Sequence, residues 1–144
     1  MKATLKLGLT ATYRYTVPME RTVPHMYPEA PDFQSMPRVF ATGYLVALCE
    51  WAAIELIKPH LDWPHEQSVG THVNLSHTAA TPPGLTVEVT VTLAAIEGRK
   101  LAFQVRAVDG VDTVSEGTHE RFVIDARKFN ERVADKARKA GVAA

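Results

Sequence analysis

The segment covering residues 40–54 is apolar on almost every side, yet it carries a carboxylate, Glu50, in its second half. Apolar residues recur there at the i, i+3, i+4 and i+7 spacing of a helix. The sequence therefore predicts a buried helix from about Thr42 to Ile57 that ends before Pro59. A second layer of structure must cover such a helix. An unpaired buried carboxylate is costly, so Glu50 either has a partner or takes part in chemistry.

Alternating apolar and polar residues predict strands on both sides of this helix. A first strand precedes it and stops at Pro18, and four strand candidates follow it. Asp109-Gly110 is a hairpin signal between the last two candidates. A basic helix is predicted over about Ala126 to Ala140. The predicted strands cover about residues 10–17, 68–80, 85–96, 100–108 and 111–124.

The order of these elements indicates an α+β protein with two layers. One long central helix faces a curved antiparallel sheet whose last four strands form a meander, which is the arrangement of the hotdog fold. We expect residues 1–144 to form a single hotdog domain. The proline-rich segment 19–38 is expected to be irregular and to lie over a site, since loops of this length are often functional. Hotdog subunits usually pair, so a homodimer with interfacial ligand sites is expected.

Charge and cysteine content narrow the functional classes. Sixteen basic residues balance sixteen acidic ones, so no net field recruits nucleic acid or a membrane. Cys49 is the only cysteine, which excludes an intrachain disulfide, and its apolar helix indicates packing rather than nucleophilic chemistry. The sequence has neither a signal-peptide pattern nor an apolar run of about 18–20 residues, so a cytoplasmic protein is expected. The histidine spacings do not make a metal site, and we predict no metal and no cofactor.

Three side chains are predicted to converge near the helix. Thr42 and Glu50 are eight residues apart, which places them about 80° around a helix and about 12 Å along its axis. Thr42 is also a plausible N-cap. His77 is predicted to point inward from the first strand after the helix. A hydroxyl, a carboxylate and a histidine suit acid–base or acyl-transfer chemistry, although Thr42 as a mere cap and His77 as a structural group remain alternatives. Arg121 is expected to bind a phosphate or to pair with a carboxylate.

Several short motifs then make the chain recognisable. Their order and spacing resemble the fluoroacetyl-CoA thioesterase family of hotdog proteins over about residues 15–130. The motifs are Phe40-Ala41-Thr42-Gly43, Glu50-Trp51-Ala52, Gly70-Thr71, Ser76-His77-Thr78-Ala79-Ala80, Pro82-Pro83-Gly84-Leu85-Thr86-Val87, Asp109-Gly110-Val111 and Gly117-Thr118-His119-Glu120-Arg121.

The resemblance implies hydrolysis of a short-chain acyl-CoA thioester to CoA and a free acid, with fluoroacetyl-CoA as one candidate substrate. It implies Thr42, Glu50 and His77 as the catalytic residues. Gly70 would lie beside the acyl group, and Arg121 near the CoA end or in support of the site. The alternatives are an acyl-CoA sensing module without catalysis and an enoyl-CoA hydratase.

The loop over the pocket differs from the family pattern at one position. The resemblance implies Phe33 and Met36 as substrate-binding residues, but the fluoroacetyl-specific member is expected to carry an aromatic residue in place of Met36. Methionine is flexible and defines a halogen-sized pocket less sharply. This difference favours a general short-chain thioesterase.

Overall fold

The computed structural model describes residues 1–143 as one sheet with a long helix packed against it. Both long helices have the bounds predicted from the sequence. Strands β1, β3, β4 and β5 lie within about two residues of their predicted positions. The elements are β1 (Thr10–Thr16), α1 (Pro31–Gln34), α2 (Thr42–Ile57), β2 (Glu66–Leu75), β3 (Thr86–Glu97), β4 (Lys100–Val108), β5 (Thr113–Asp125) and α3 (Ala126–Ala140), with 3-10 turns at Met19–Arg21, Val23–His25 and Lys58–His60.

The core forms between α2 and one face of the sheet. Helix α2 buries the stripe that its helical spacing predicted, and alternate residues of β3 and β4 meet it. Each fully buried leucine or valine contributes about 1.5–3 kcal/mol, so this interface is the main source of stability. The buried residues here are Leu45, Leu48, Cys49, Ala52, Ala53, Leu56 and Ile57 from α2, Val87, Val89, Val91 and Leu93 from β3, and Leu101, Phe103, Val105 and Ala107 from β4.

The predicted four-strand meander is wrong. The strand order is β1-β3-β4-β5-β2, so only β3, β4 and β5 form a meander, and β2 pairs with β5 at the edge of the sheet. Gly117 permits this pairing, because a Cβ atom there would lie 2.0 Å from the backbone oxygen of Asn74. Pairing between strands as distant in the chain as β2 and β5 leaves no local pattern in the sequence. The meander prediction rests only on the order of the strands along the chain.

Strand β2 is shorter than predicted, and its alternation is interrupted. It ends at Leu75, so His77 lies beyond the strand rather than on its inner face. The register with β5 shifts between Gly70 and His72, and Val73, predicted to face the core, is 44% exposed. A bulge of this kind changes which face the following side chains take. Strand alternation from Thr71 through Val73 and Leu75 to His77 predicts one inner face, and this prediction is therefore wrong.

Two further expectations about local structure change. The segment 19–38 is not wholly irregular, because it contains two 3-10 turns and the four-residue helix α1. The Asp109-Gly110 signal does mark the β4–β5 connection, but this connection has four residues and Asp109 is buried in it. No helix among residues 1–143 has the length and apolar character needed to cross a membrane.

Candidate active site

Thr42 and His77 form a hydrogen-bonded pair at the N-terminus of α2. The Thr42 hydroxyl lies 2.7 Å from Nδ1 of His77. Thr42 was predicted as the N-cap, but it is the first residue of the helix, and Ala41 occupies the cap position without a side-chain hydrogen bond. The Thr42 side chain therefore forms a hydrogen bond with His77 instead of capping the helix.

The position at the start of α2 gives this pair a favourable electrostatic setting. The first hydrogen bond of the helix runs from the amide of Leu45 to the carbonyl of Ala41. The amides of the preceding turn thus have no partner within the helix, and the positive end of the helix dipole lies beside the Thr42 hydroxyl. Amides of this kind suit a negatively charged oxygen.

His77 has one ring nitrogen without a hydrogen-bond partner. Its Nε2 is buried and bonds to no group among residues 1–143, whereas Nδ1 bonds to Thr42. Burial is the larger effect and lowers the pKa of His77 below its ordinary value, whereas the backbone carbonyl of Ala79 acts in the opposite direction. A neutral imidazole at physiological pH is able to accept a proton, which a general base requires.

A second polar cluster lies further along α2, around Glu50. Oε2 of Glu50 lies 2.8 Å from Nη1 of Arg121, whose side chain is only 3% exposed. Arg121 also donates from Nε to the hydroxyl of Ser68 and from Nη2 to the Ser68 carbonyl, at 2.8 and 2.9 Å. Nη1 of Arg121 lies 3.1 Å from Nε2 of His119. The carboxylate that interrupts the apolar helix therefore has a buried cationic partner.

Gly70 lies directly against this cluster. A Cβ atom at position 70 would lie 2.6 Å from Oε2 of Glu50 and 3.5 Å from Nη1 of Arg121. Strand β2 therefore approaches the carboxylate so closely that a side chain would displace it. Gly70 thus lies beside Glu50, and its place beside the acyl group stays a prediction.

The two clusters do not meet within one chain. The structure contains hydrogen bonds from Thr42 to His77 and from Arg121 to Glu50, but none between Glu50 and His77 among residues 1–143. Nor do Phe33 and Met36 join either cluster. Phe33 stacks on Tyr27 with ring centroids 6.1 Å apart, and Met36 is 44% exposed.

His119 and Ser68 are polar members of the Glu50 cluster that sequence reasoning did not select. Strand alternation puts His119 on the same face of β5 as Arg121, and this is the one signal that the sequence offers for it. Ser68 pairs across the sheet with Val123, a register that depends on the edge position of β2. Cys49, by contrast, is inert as expected, since burial and then the charge of Glu50 raise its pKa to about 12.

Open grooves border the Thr42–His77 pair. One of about 390 Å³ is lined by Met26, Tyr27, Gly43, Tyr44 and Ala47, over the first turns of α2. A second, of about 250 Å³, includes His77 itself. The pair is thus accessible to a small molecule from the surface.

A long helix packed across an antiparallel sheet in this order defines a hotdog protein. The same fold occurs in a hot-dog-like protein from Thermanaerovibrio acidaminovorans, with a TM-score of 0.76, 22% identity, and coverage of 90% of this chain and 91% of that one. This likeness concerns the fold alone, and it agrees with the α+β hotdog prediction from the sequence.

The sequence itself matches the model of the family described as fluoroacetyl-CoA-specific thioesterase over residues 17–127. The fluoroacetyl-CoA thioesterase of Streptantibioticus cattleyicolor is 50% identical over 136 residues, which cover 94% of this chain and 97% of that protein. A solved variant of a fluoroacetyl-CoA thioesterase in complex with acetyl-CoA has a TM-score of 0.89 and 49% identity, and covers 92% of this chain and 98% of that one. The chain belongs to the fluoroacetyl-CoA-specific thioesterase family, which confirms the resemblance seen in its motifs.

Proposed function

We propose that the protein hydrolyses a short-chain acyl-CoA thioester to CoA and a free acid. The observation that carries this proposal is the Thr42–His77 hydrogen bond of 2.7 Å at the start of α2. It occurs in a chain that is 50% identical to a fluoroacetyl-CoA thioesterase. Thioester hydrolysis needs a nucleophile, a group that accepts and returns a proton, and donors for the developing oxyanion.

The residues of the first cluster suit these roles. His77 accepts a proton from the attacking hydroxyl and returns it to the sulfur of the leaving CoA. Attack by a water held beside Thr42 gives the free acid directly. Attack by the Thr42 hydroxyl leaves the acyl group as an ester on Thr42, and a water activated by His77 then releases the acid and restores the hydroxyl. The amides at the start of α2 stabilise the oxyanion that forms while the carbon–sulfur bond breaks. Lowering of the His77 pKa by burial keeps its ring neutral before attack.

Glu50 is proposed to act from the opposite side of a subunit interface. Strand β2 is an edge strand, and an open edge is a template for pairing with another chain. Antiparallel pairing of two β2 strands about Val73 would set Gly70 of one subunit opposite Ser76 of the partner subunit. Because Glu50 lies against Gly70, its carboxylate would then approach the partner subunit's His77 and its unpaired Nε2.

Arg121 and Gly70 are proposed to support Glu50. The buried guanidinium fixes one carboxylate oxygen, and the missing side chain at position 70 leaves room for it. Glu50 itself is 36% exposed, so its other oxygen is available to His77 of the partner subunit or to a water. Because four of the five N–H groups of Arg121 are bonded to protein and its side chain is only 3% exposed, we propose that it supports the site rather than binding CoA phosphates directly.

The acyl group is proposed to be short, without strong selection for fluorine. Phe33 and Met36 belong to the segment proposed to cover the pocket, and the exposed, flexible Met36 side chain replaces the expected aromatic one. A thiol-release assay on acetyl-CoA, fluoroacetyl-CoA, longer acyl-CoAs and an enoyl-CoA tests this. We expect release from the short saturated substrates at similar rates. Binding without thiol release from any of them would favour a sensing module, and hydration of the enoyl-CoA would favour a hydratase.

Separate variants of the two clusters test the site. We expect Glu50→Gln and His77→Ala each to lower kcat on acetyl-CoA by about 10²-fold or more, the usual cost of losing an acid–base group. His65→Ala removes an exposed histidine whose side chain belongs to neither cluster; it is the matched control and should keep the wild-type rate. Wild-type rates in both site variants would refute the assignment.

A further inference from the structure

His119 is a fully buried histidine to which the proposed reaction assigns no role. It lies in β5 with 0% of its surface exposed, and its ring packs against Phe103 with centroids 6.2 Å apart. Both ring nitrogens have partners. Nδ1 lies 2.8 Å from the backbone oxygen of His72 in β2, and Nε2 lies 3.1 Å from Nη1 of Arg121.

These partners determine the protonation state of the ring. A backbone carbonyl can only accept, so Nδ1 of His119 must carry a hydrogen and donate it to His72. A guanidinium can only donate, so Nε2 must offer a lone pair to Arg121. The ring is therefore the neutral Nδ1–H tautomer. Burial lowers the pKa of His119, as does the charge of Arg121.

The contact from His119 constrains the guanidinium at the nitrogen that holds Glu50. Nη1 of Arg121 has two hydrogens, one directed to Oε2 of Glu50 at 2.8 Å and the other to His119. Nε and Nη2 of Arg121 each donate one hydrogen bond to Ser68. With both hydrogens of Nη1 engaged, the plane of the guanidinium is fixed relative to the carboxylate.

We propose that His119 is a positioning residue, which as a neutral acceptor orients Arg121 and through it holds Glu50 in its working position. This inference rests on the proposed thioesterase function. It adds a requirement that the reaction alone does not impose, namely that His119 stays uncharged and keeps one tautomer.

Protonation of His119 would undo this arrangement. A second ring hydrogen on Nε2 would face the Nη1–H of Arg121, so that two donors and two positive charges would oppose each other. The acidic groups that act on His119 are Glu50 from α2 and Glu120 from β5, and Glu120 is paired with Lys100 at 3.3 Å. These carboxylates favour the charged ring but do not supply an acceptor at Nε2, so acidification is expected to release Arg121 and lower kcat.

Two substitutions at position 119 separate positioning from packing. His119→Gln keeps an oxygen able to accept from Arg121, whereas His119→Leu keeps apolar volume but offers no acceptor. We expect kcat on acetyl-CoA, per folded molecule, to fall about 10- to 100-fold in the leucine variant with little change in KM, as for a small displacement of a catalytic group. The glutamine variant should restore most of kcat. Its loss of kcat at acid pH should be less steep than in wild type, because His77 remains to be protonated but His119 is absent. Ser115→Ala, another buried polar residue of β5, is the control and should match wild type.

A measurement without catalysis completes the test. Nitrogen-15 NMR of the wild-type protein at neutral pH should show His119 as the Nδ1–H tautomer, with Nε2 unprotonated. The Nε2–H tautomer or a charged ring would overturn the proposal, and so would wild-type kcat in folded His119→Leu. If wild type released no thiol from any acyl-CoA, the proposed function would fail while the tautomer still tested the contact. If the leucine variant did not fold, the proposal would be tested by the kcat and pH profile of the glutamine variant and by the His119 tautomer of the wild-type protein.

Discussion

The Glu50 cluster depends directly on the absence of a side chain at Gly70. A Cβ atom there would lie 2.6 Å from the carboxylate oxygen that Arg121 holds. We expect Gly70→Ala to leave the fold intact, since nothing in the backbone at this position requires glycine, but to push the carboxylate aside and lower kcat about 10²-fold. Steady-state kinetics together with a thermal melting curve measure the two effects.

Gly98→Asn is the control for this substitution. Gly98 lies in the β3–β4 turn, where an added Cβ meets no atom within 4 Å and asparagine tolerates the positive φ of 61°. The control should retain wild-type kcat. Full activity in Gly70→Ala would show that Glu50 does not need its observed position.

The free energy of unfolding should depend on pH through two histidines, buried His119 and partly buried His77. Burial is the main cause that lowers the pKa values of both His77 and His119. In the unfolded chain these rings take up protons near pH 6.5, before they do so in the folded protein. The free energy of unfolding should therefore be highest above pH 6.5 and fall as the pH decreases below it, by at most about 1.4 kcal/mol per pH unit for each histidine.

Urea unfolding between pH 7.5 and 5.5 measures this dependence. His119→Gln should flatten it, because one of the two rings is then absent. A free energy of unfolding that stays constant or rises on acidification in this range would contradict the inferred neutral state of both rings.

For single residues, the sequence indicated which side chains could be chemically active better than it predicted which side chains they contact. The expected cost of burying a charge singled out Glu50, although its side chain is 36% exposed within one subunit. The two expected partners of Arg121 included the carboxylate that it binds. Thr42 was interpreted as a cap because the amides of the helix are the only hydrogen-bond partners that an isolated helix provides for its hydroxyl. In the folded chain the hydroxyl bonds to His77 instead. The proposed role of His119 depends on contacts between α2, β2 and β5, and no residue spacing in the sequence predicts these contacts.

At the scale of elements, the β4–β5 connection is held by one carboxylate. Asp109 is 5% exposed and accepts from the Thr81 hydroxyl at 2.8 Å and from the amides of Val111 and Asp112 at 3.0 and 2.8 Å. Thr81 in turn accepts from the amide of Phe40 through its carbonyl, so the connection is linked to the chain entering α2.

Loss of this carboxylate should destabilise the fold. Asp109→Ala leaves one hydroxyl and two amides without their acceptor, and we expect the free energy of unfolding to fall by about 2–4 kcal/mol. Asp112→Ala, an exposed neighbour in the same connection, should change it by less than about 0.5 kcal/mol. Equal stability of the two variants in urea unfolding would show that the hydrogen bonds to Asp109 do not hold the connection.

Elements with a strong local period were predictable, and their arrangement was only partly so. The stripe of α2 and the alternation of β3 and β4 follow directly from side chains that must be buried. The place of β2 does not, because its pairing with β5 depends on register and on the close approach at Gly117. That strand carries Gly70, and His77 lies two residues past its end, so the error in topology also misplaced part of the site.

At the scale of the whole molecule, the separation of the two clusters is the central observation. Thr42 and His77 meet within one chain, as do Glu50 and Arg121, but the carboxylate and the histidine do not meet. The proposed homodimer, paired through the open edge of β2, would bring the Glu50 cluster of each subunit to the Thr42–His77 pair of its partner. The account therefore requires that each working site use Glu50 from one subunit and His77 from the other.

Subunit complementation tests this requirement most directly. Glu50→Gln and His77→Ala chains carrying different affinity tags are co-expressed, and the mixed dimer is purified through both tags. One of its two sites then combines intact Glu50 and intact His77, so we predict about half of the wild-type thiol release per dimer, while both parent homodimers stay nearly inactive. A mixed dimer as inactive as its parents, or a wild-type protein that is active as a monomer, would contradict the account.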